Sequence, residues 1–279
     1  MGEITRHVSA WDGLPLLVRE WHDGDRLAPL LCLPGLVRTG GDFAALAPLV
    51  GTGRRVVAID YAGRGGSGRA AKVERYAPEA CVRDVLDACA ALHLHGVVVI
   101  GTSFGGLLAC ALAAARPGLL RAVVINDVGP EVGTAGADFV RTFVGQDPAL
   151  ETLDACVKFL RARLPPLSLT TDAEWRAMAT LTYAPGPDGR FHPLWDTRIA
   201  QLLTKPAPDL WPLFGAVNHL PLLLAWGEVS TILLPETVAR MRAARPDMDI
   251  VSLPGIGHAP TLTEPDAVAA IRRFLDRVG

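Results

Sequence analysis

The sequence predicts an α/β fold: a mostly parallel sheet flanked by helices, with a helical insertion late in the chain. Three observations predict it. Short runs of β-branched and aliphatic residues alternate with segments of helical spacing, the pattern of a parallel sheet covered on both faces. The alternation stops after Pro130 and resumes near residue 213. The stretch "VVVIGTSFGGLLA" (97–109) passes from a strand-like to a helix-like run through a turn of six residues. At 279 residues, half of them hydrophobic and 20% charged, the chain is long enough to bury a large core.

The elements follow in order. Residues 3–9 and 14–20 alternate as an antiparallel hairpin does. "PLLCL" (29–33) reads as a short buried strand ended by Pro34-Gly35, and "RRVVAID" (54–60) as a second. Pro78 to Leu92 carries helical spacing, with Cys81, Val85, Ala88 and Leu92 on one face. A strand at 97–100, a helix from Leu107 to Ala115 and a strand at 122–126 come next. Residues 131–212 read as helical or irregular, with no strand-like run. They hold three of the six tryptophans and the prolines 165, 166, 185, 187, 193, 206, 208 and 212. A strand at 221–227, a helix from Pro235 to Ala244, a strand within 248–255 and a helix at 264–277 complete the chain. The domain expectation is a core of 1–130 and 213–279, with 131–212 as the helical insertion.

Composition excludes some classes. A formal charge of −2 gives no electrostatic reason to expect nucleic acid or an anionic membrane as partner. The N-terminal stretch has no apolar core of a signal peptide, and no apolar run reaches membrane-spanning length. The five cysteines (32, 81, 89, 110, 156) form no CxxC pair and fall mostly in apolar runs, which predicts buried free thiols and a cytoplasmic chain. No spaced cluster of His, Cys or acids predicts a metal, and no cofactor is expected.

Two glycine motifs compete for the chemistry. Gly63-Arg-Gly-Gly-Ser-Gly68 fits G-x-G-x-x-G, but no helix opens on it and it does not follow the first strand of the sheet, so a tight loop is the better reading. Gly101-Thr-Ser-Phe-Gly105 fits G-x-S-x-G in its required context of strand, turn and helix. That marks Ser103 as a nucleophile, which needs a base within hydrogen-bond reach. Of seven histidines, His93 and His95 end a helix, His7 and His22 lie in the opening hairpin region, and His192 and His219 lie in or near the insertion. His258, in "SLPGIGHAPTLTEP", follows the last predicted strand at the carboxyl edge of the sheet, where open α/β sheets place their sites.

With "LCLPGL" (31–36), "DYAGRGGSG" (60–68), "GTSFGG" (101–106), "NDVGP" (126–130), "WGEVS" (226–230) and "GIGHAP" (255–260) in this order, the whole chain resembles the α/β-hydrolase superfamily. The resemblance implies a serine hydrolase cleaving a carboxylic ester through an acyl-enzyme. It also implies a cap at 131–212 and an oxyanion hole made by the amides of Leu36 and Phe104. One departure from the pattern matters. The family's usual acid position, three residues past the glycine of "AWG", holds Ser230 here. Asp127, after the strand that follows the serine helix, is the expected acid, and it keeps the order Ser, acid, His. Glu228, or a dyad helped by water, is the alternative. For the substrate, an ester leads. A lactonase, in which Arg141, Arg161, Arg163 or Arg176 would meet a carboxylate, is the runner-up. A non-catalytic fold that binds a small ligand is the remaining reading. Phe139, Phe143, Phe159, Trp175, Tyr183, Phe191, Trp195 and Trp211 are the expected pool for the pocket wall and the insertion's own core.

Overall fold

The computed structural model describes residues 2–204 and 209–279. Pro206 and Pro208 of the expected insertion lie outside the described residues. In chain order the elements begin with β1 (Glu3–Ser9), β2 (Pro15–His22), β3 (Leu30–Leu33), the one-turn α1 (Ala47–Val50), β4 (Arg55–Ile59) and α2 (Pro78–Ala91). They continue with β5 (Val97–Thr102), α3 (Phe104–Ala115), β6 (Leu120–Asn126), α4 (Thr134–Val144), α5 (Leu153–Arg163) and α6 (Asp172–Thr180). The last are β7 (Tyr183–Pro185), β8 (Phe191–Pro193), α7 (Trp211–Gly215), β9 (Leu222–Gly227), α8 (Pro235–Ala244), β10 (Asp249–Leu253) and α9 (Pro265–Val278).

Eight strands form one sheet in the order β1-β2-β4-β3-β5-β6-β9-β10. β2 pairs antiparallel with β1 and with β4, and every other neighbour pair is parallel. β5 shows why the central strands read as continuous apolar runs. Val97 and Val99 pack into the core that holds α2 and α3, whereas Val98 and Ile100 pack into the core that holds α1 and α9. Both faces are covered, so Val97 to Ile100 leave no position for a polar residue, and Thr102 stands only at the strand's end.

The parallel register lines up the carboxyl ends that matter. Thr102 pairs with Asn126, Asn126 with Ala225, and Leu253 with Gly227. The residues that follow these four strands therefore emerge side by side on one edge of the sheet.

Between β6 and β9 the structure departs from expectation in one respect. β7 and β8 pair as a small antiparallel hairpin where the sequence predicts no strand. Each is three residues long and ends in proline, so neither carries the period-two pattern that marks a strand in sequence. The same region adds side chains to the core that holds α2 and α3. Trp195 and Tyr183 are both 2% exposed, and Trp195 stacks 5.6 Å from Phe143. The expected boundary at 212 falls inside α7, which packs against α3.

The loop at 63–68 is filled by the chain itself. Gly40 N and Gly66 N donate to the buried Asp60 carboxylate at 2.6 and 2.9 Å, and a Cβ on Gly65 would sit 2.0 Å from Asp60 Oδ2. A phosphate has no place there, in keeping with a tight loop. Arg64, 1% exposed, donates to Leu36 O at 2.9 Å and so ties this loop to the one after β3. All five cysteines are buried and free. Among the described residues, no helix is long and apolar enough to cross a membrane.

Candidate active site

The turn between β5 and α3 is as sharp as its glycines require. Ser103 has φ 53° and ψ −118°, a positive φ that an L-residue holds only under local strain. Its amide donates to Asn126 O at 2.8 Å, and Gly106 N donates back to Ser103 O at 2.8 Å. A Cβ on Gly101 would lie 2.4 Å from Gly105 O, and one on Gly105 would lie 2.0 Å from Leu33 O. Both obstacles are backbone, so neither yields. Gly105→Ala is therefore expected to destabilise the fold by about 3 kcal/mol or more, read as a large fall in thermal midpoint or loss of soluble protein. An unchanged midpoint would contradict this account of the turn. The helix begins at Phe104, three residues before the apolar run at Leu107 that marks it in sequence, because the turn places Phe104 directly in its first turn.

Ser103 Oγ lies 2.9 Å from His258 Nε2, and His258 Nδ1 lies 2.8 Å from Asp127 Oδ2. Asp127 is fully buried at the end of β6, with φ 55°. Its other oxygen accepts from Gly227 N at 3.0 Å, so both carboxylate oxygens have a donor. Asp127 N in turn donates to Ala225 O at 2.8 Å.

Glu228 is elsewhere. It is exposed, and its amide donates to Leu253 O at 3.1 Å. Ser230, at the position where the resemblance leads one to expect an aspartate, is a turn residue: its hydroxyl accepts from Ile232 N and Leu233 N, each at 3.2 Å.

Asn126 opens the "NDVGP" stretch without a role assigned to it, yet it ties the ends of β5 and β6 to the loop of His258. Its Nδ2 donates to Thr102 Oγ1 at 3.1 Å and to Pro260 O at 2.9 Å, which holds the loop of His258 against β5 and β6. Its place beside Asp127 in that stretch is the sequence signal that points to it.

The loop after β3 approaches the serine. A Cβ built on Gly35 would lie 3.9 Å from Ser103 Cβ. Neither the Leu36 amide nor the Phe104 amide donates to a protein acceptor among the described residues. Two unengaged N–H groups therefore stand on the two turns that flank Ser103.

Ser103 and His258 line a cavity of about 580 Å³ together with Leu36 and residues of α4, α5 and α6. Its wall is mostly apolar, with Phe139, Phe143, Leu160, Leu164 and Met178 among the lining side chains. Of the eight expected aromatics, Phe139 and Phe143 line it. Tyr183 and Trp195 are instead buried in the core that holds α2 and α3, and Trp211 packs edge-on against Phe214.

The four expected arginines are not in the cavity. Arg141, Arg161 and Arg176 pair with Asp138, Asp172 and Asp154, and Arg163 lies over the Phe159 ring. The arginine that does line it, Arg38, is held in a two-pronged pair by Asp42 and also donates to Thr182 Oγ1 at 2.5 Å. Arg38 follows the "LPGL" loop by two residues, a nearness that carries no charge signal in the sequence. No group of three or more His, Cys, Asp or Glu side chains placed to hold a metal occurs among the described residues.

Comparison with known proteins identifies the family and the fold. A model of the alpha/beta hydrolase family matches residues 30–271. The chain is 32% identical, over 91% of its length and 90% of the relative's, to a 3-hydroxybutyrate-oligomer hydrolase of Cupriavidus necator. It is 27% identical to a 2-(acetamidomethylene)succinate hydrolase of Mesorhizobium japonicum, over 98% and 95% of the two chains. Among solved structures, an alpha/beta hydrolase from Novosphingobium aromaticivorans superposes with a TM-score of 0.92 at 38% identity, covering 99% of this chain and 98% of that one.

Proposed function

We propose that this chain, which belongs to the alpha/beta hydrolase family, is a serine hydrolase that cleaves a carboxylic ester through an acyl-enzyme. One observation carries the reading. A continuous hydrogen-bonded line runs from Ser103 Oγ through the His258 ring to the buried Asp127 carboxylate, beside two unengaged amides.

Ser103 Oγ attacks the carbonyl carbon while His258 Nε2 takes its proton. Asp127 keeps the other ring proton on Nδ1 and stabilises the imidazolium that forms. The Leu36 and Phe104 amides receive the developing oxyanion, where fixed dipoles stabilise charge without reorganising. His258 then returns the proton to the leaving alcohol. Water, deprotonated by the same ring, releases the acid and frees Ser103. The region between β6 and β9 acts as the cap, supplying the apolar wall that excludes bulk water.

The choice of ester over lactone rests on the arginines. A lactone bearing a carboxylate needs an available cation in the cavity, whereas Arg141, Arg161 and Arg176 are engaged by acids outside it, Arg163 lies over Phe159 outside it, and Arg38 is engaged by Asp42. The relative from Cupriavidus necator supports the ester reading, since 3-hydroxybutyrate units join to one another as esters. A binding-only protein would have no use for the Ser103–His258 contact at 2.9 Å.

Hydrolysis of p-nitrophenyl esters from acetate to octanoate, beside a panel of lactones, tests the reading. Release of nitrophenol, with a chain length that fits the cavity preferred, is the expected result. Turnover of lactones alone would overturn the ester assignment.

A further inference from the structure

One end of the mostly apolar cavity is polar in an organised way. Ser168, Thr261 and Thr263 all line it, and behind them stands Glu264, 8% exposed. Glu264 Oε1 accepts from Ser168 Oγ at 2.5 Å, from Thr261 Oγ1 at 3.0 Å and from Thr261 N at 2.8 Å. Thr261 Oγ1 also lies 3.0 Å from Ser168 Oγ and 2.7 Å from Thr263 Oγ1. Glu264 Oε2 is buried with no hydrogen-bond partner.

Proton bookkeeping sets what this end recognises. Each hydroxyl has one proton to give and lone pairs to receive with, and a carboxylate only receives. A carboxylate at the root takes the Ser168 and Thr261 protons, and with the Thr261 proton so assigned, Thr261 Oγ1 is left to accept from Thr263 Oγ1. The protons are then spent within the network, and what remains toward the cavity is lone pairs. Such a patch accepts a donor and gives an ester's carbonyl oxygen nothing.

We propose that Ser168, Thr261 and Thr263, anchored on Glu264, form a subsite for a free hydroxyl on the substrate, so that the preferred substrates are hydroxyl-bearing esters. The assignment rests on the ester reading above and names its substrate class. It also gives the sequence "HAPTLTEP" (258–265) a second use beyond placing His258.

Paired substrates test it. Wild-type kcat/KM is measured for ethyl butyrate against ethyl 3-hydroxybutyrate, and for ethyl acetate against 2-hydroxyethyl acetate. The pairs place the hydroxyl on the acyl or the alcohol side. A preference of about three- to tenfold for the hydroxyl member of one pair is expected from one net hydrogen bond. Thr263→Val should erase much of that preference, and Thr263→Ser should restore it, a rescue that a merely structural threonine would not show. Cleavage of both members of each pair at equal rates would overturn the subsite while leaving the ester reading intact. A preference that survives Thr263→Val undiminished would overturn it too. No cleavage of any of the four would overturn the ester reading and the subsite together.

Discussion

Replacing Ser103 by alanine is expected to lower kcat by about 10⁶-fold, the loss that serine hydrolases show when the nucleophile is removed. That factor corresponds to about 8 kcal/mol of transition-state stabilisation. No other group in the cavity can substitute. Thr102 is bonded to Asn126 at 3.1 Å, and Ser168, Thr261 and Thr263 belong to the network around Glu264. The fold should survive, because the positive φ at residue 103 is already borne by a side chain of similar size and is held by bonds from the backbone. Circular dichroism checks the fold, and steady-state kinetics on the best p-nitrophenyl ester checks the loss. A fall of less than about tenfold in a folded variant would remove Ser103 from the chemistry.

The second large effect falls on Asp127. Asp127→Asn keeps the shape of a fully buried side chain and keeps an oxygen for Gly227 N, but it turns an amide NH₂ toward His258 Nδ1. The ring then answers with the opposite tautomer and presents N–H to Ser103, so it no longer accepts the proton. For a Ser-His-Asp triad this substitution costs about 10⁴-fold in kcat. Glu228→Gln, on an exposed side chain that makes no hydrogen bond to the ring, should change kcat by less than about twofold. The reverse ranking would move the acid to Glu228.

The parts of the molecule legible in sequence are those where local chemistry and tertiary context agree. β3, β4, β5 and β6 read clearly because both of their faces are buried and their residues are mostly apolar. The Ser103 turn reads clearly because its glycines are demanded by backbone contacts that no side chain fits. His258 and Asp127 are placed by the edge of the sheet on which they emerge, and both stand in line with Ser103.

Other features depend on contacts far apart in the chain. Arg38 and Thr182 are separated by 144 positions, and no local pattern reports such a pairing. The β7–β8 hairpin is too short and proline-bound to show a period. The aromatics between β6 and β9 are readable as apolar, but that Phe143 meets both Trp195 and the cavity is settled only by how α4 packs.

The most direct measurement is intact-mass and peptide-level analysis after reaction with a fluorophosphonate, which modifies a serine whose proton has a base to go to. A single adduct located on Ser103, absent from Ser103→Ala and much slower to form in Asp127→Asn, is the predicted result. No adduct at all, or one that persists in Ser103→Ala, would contradict the claim that His258 activates this hydroxyl.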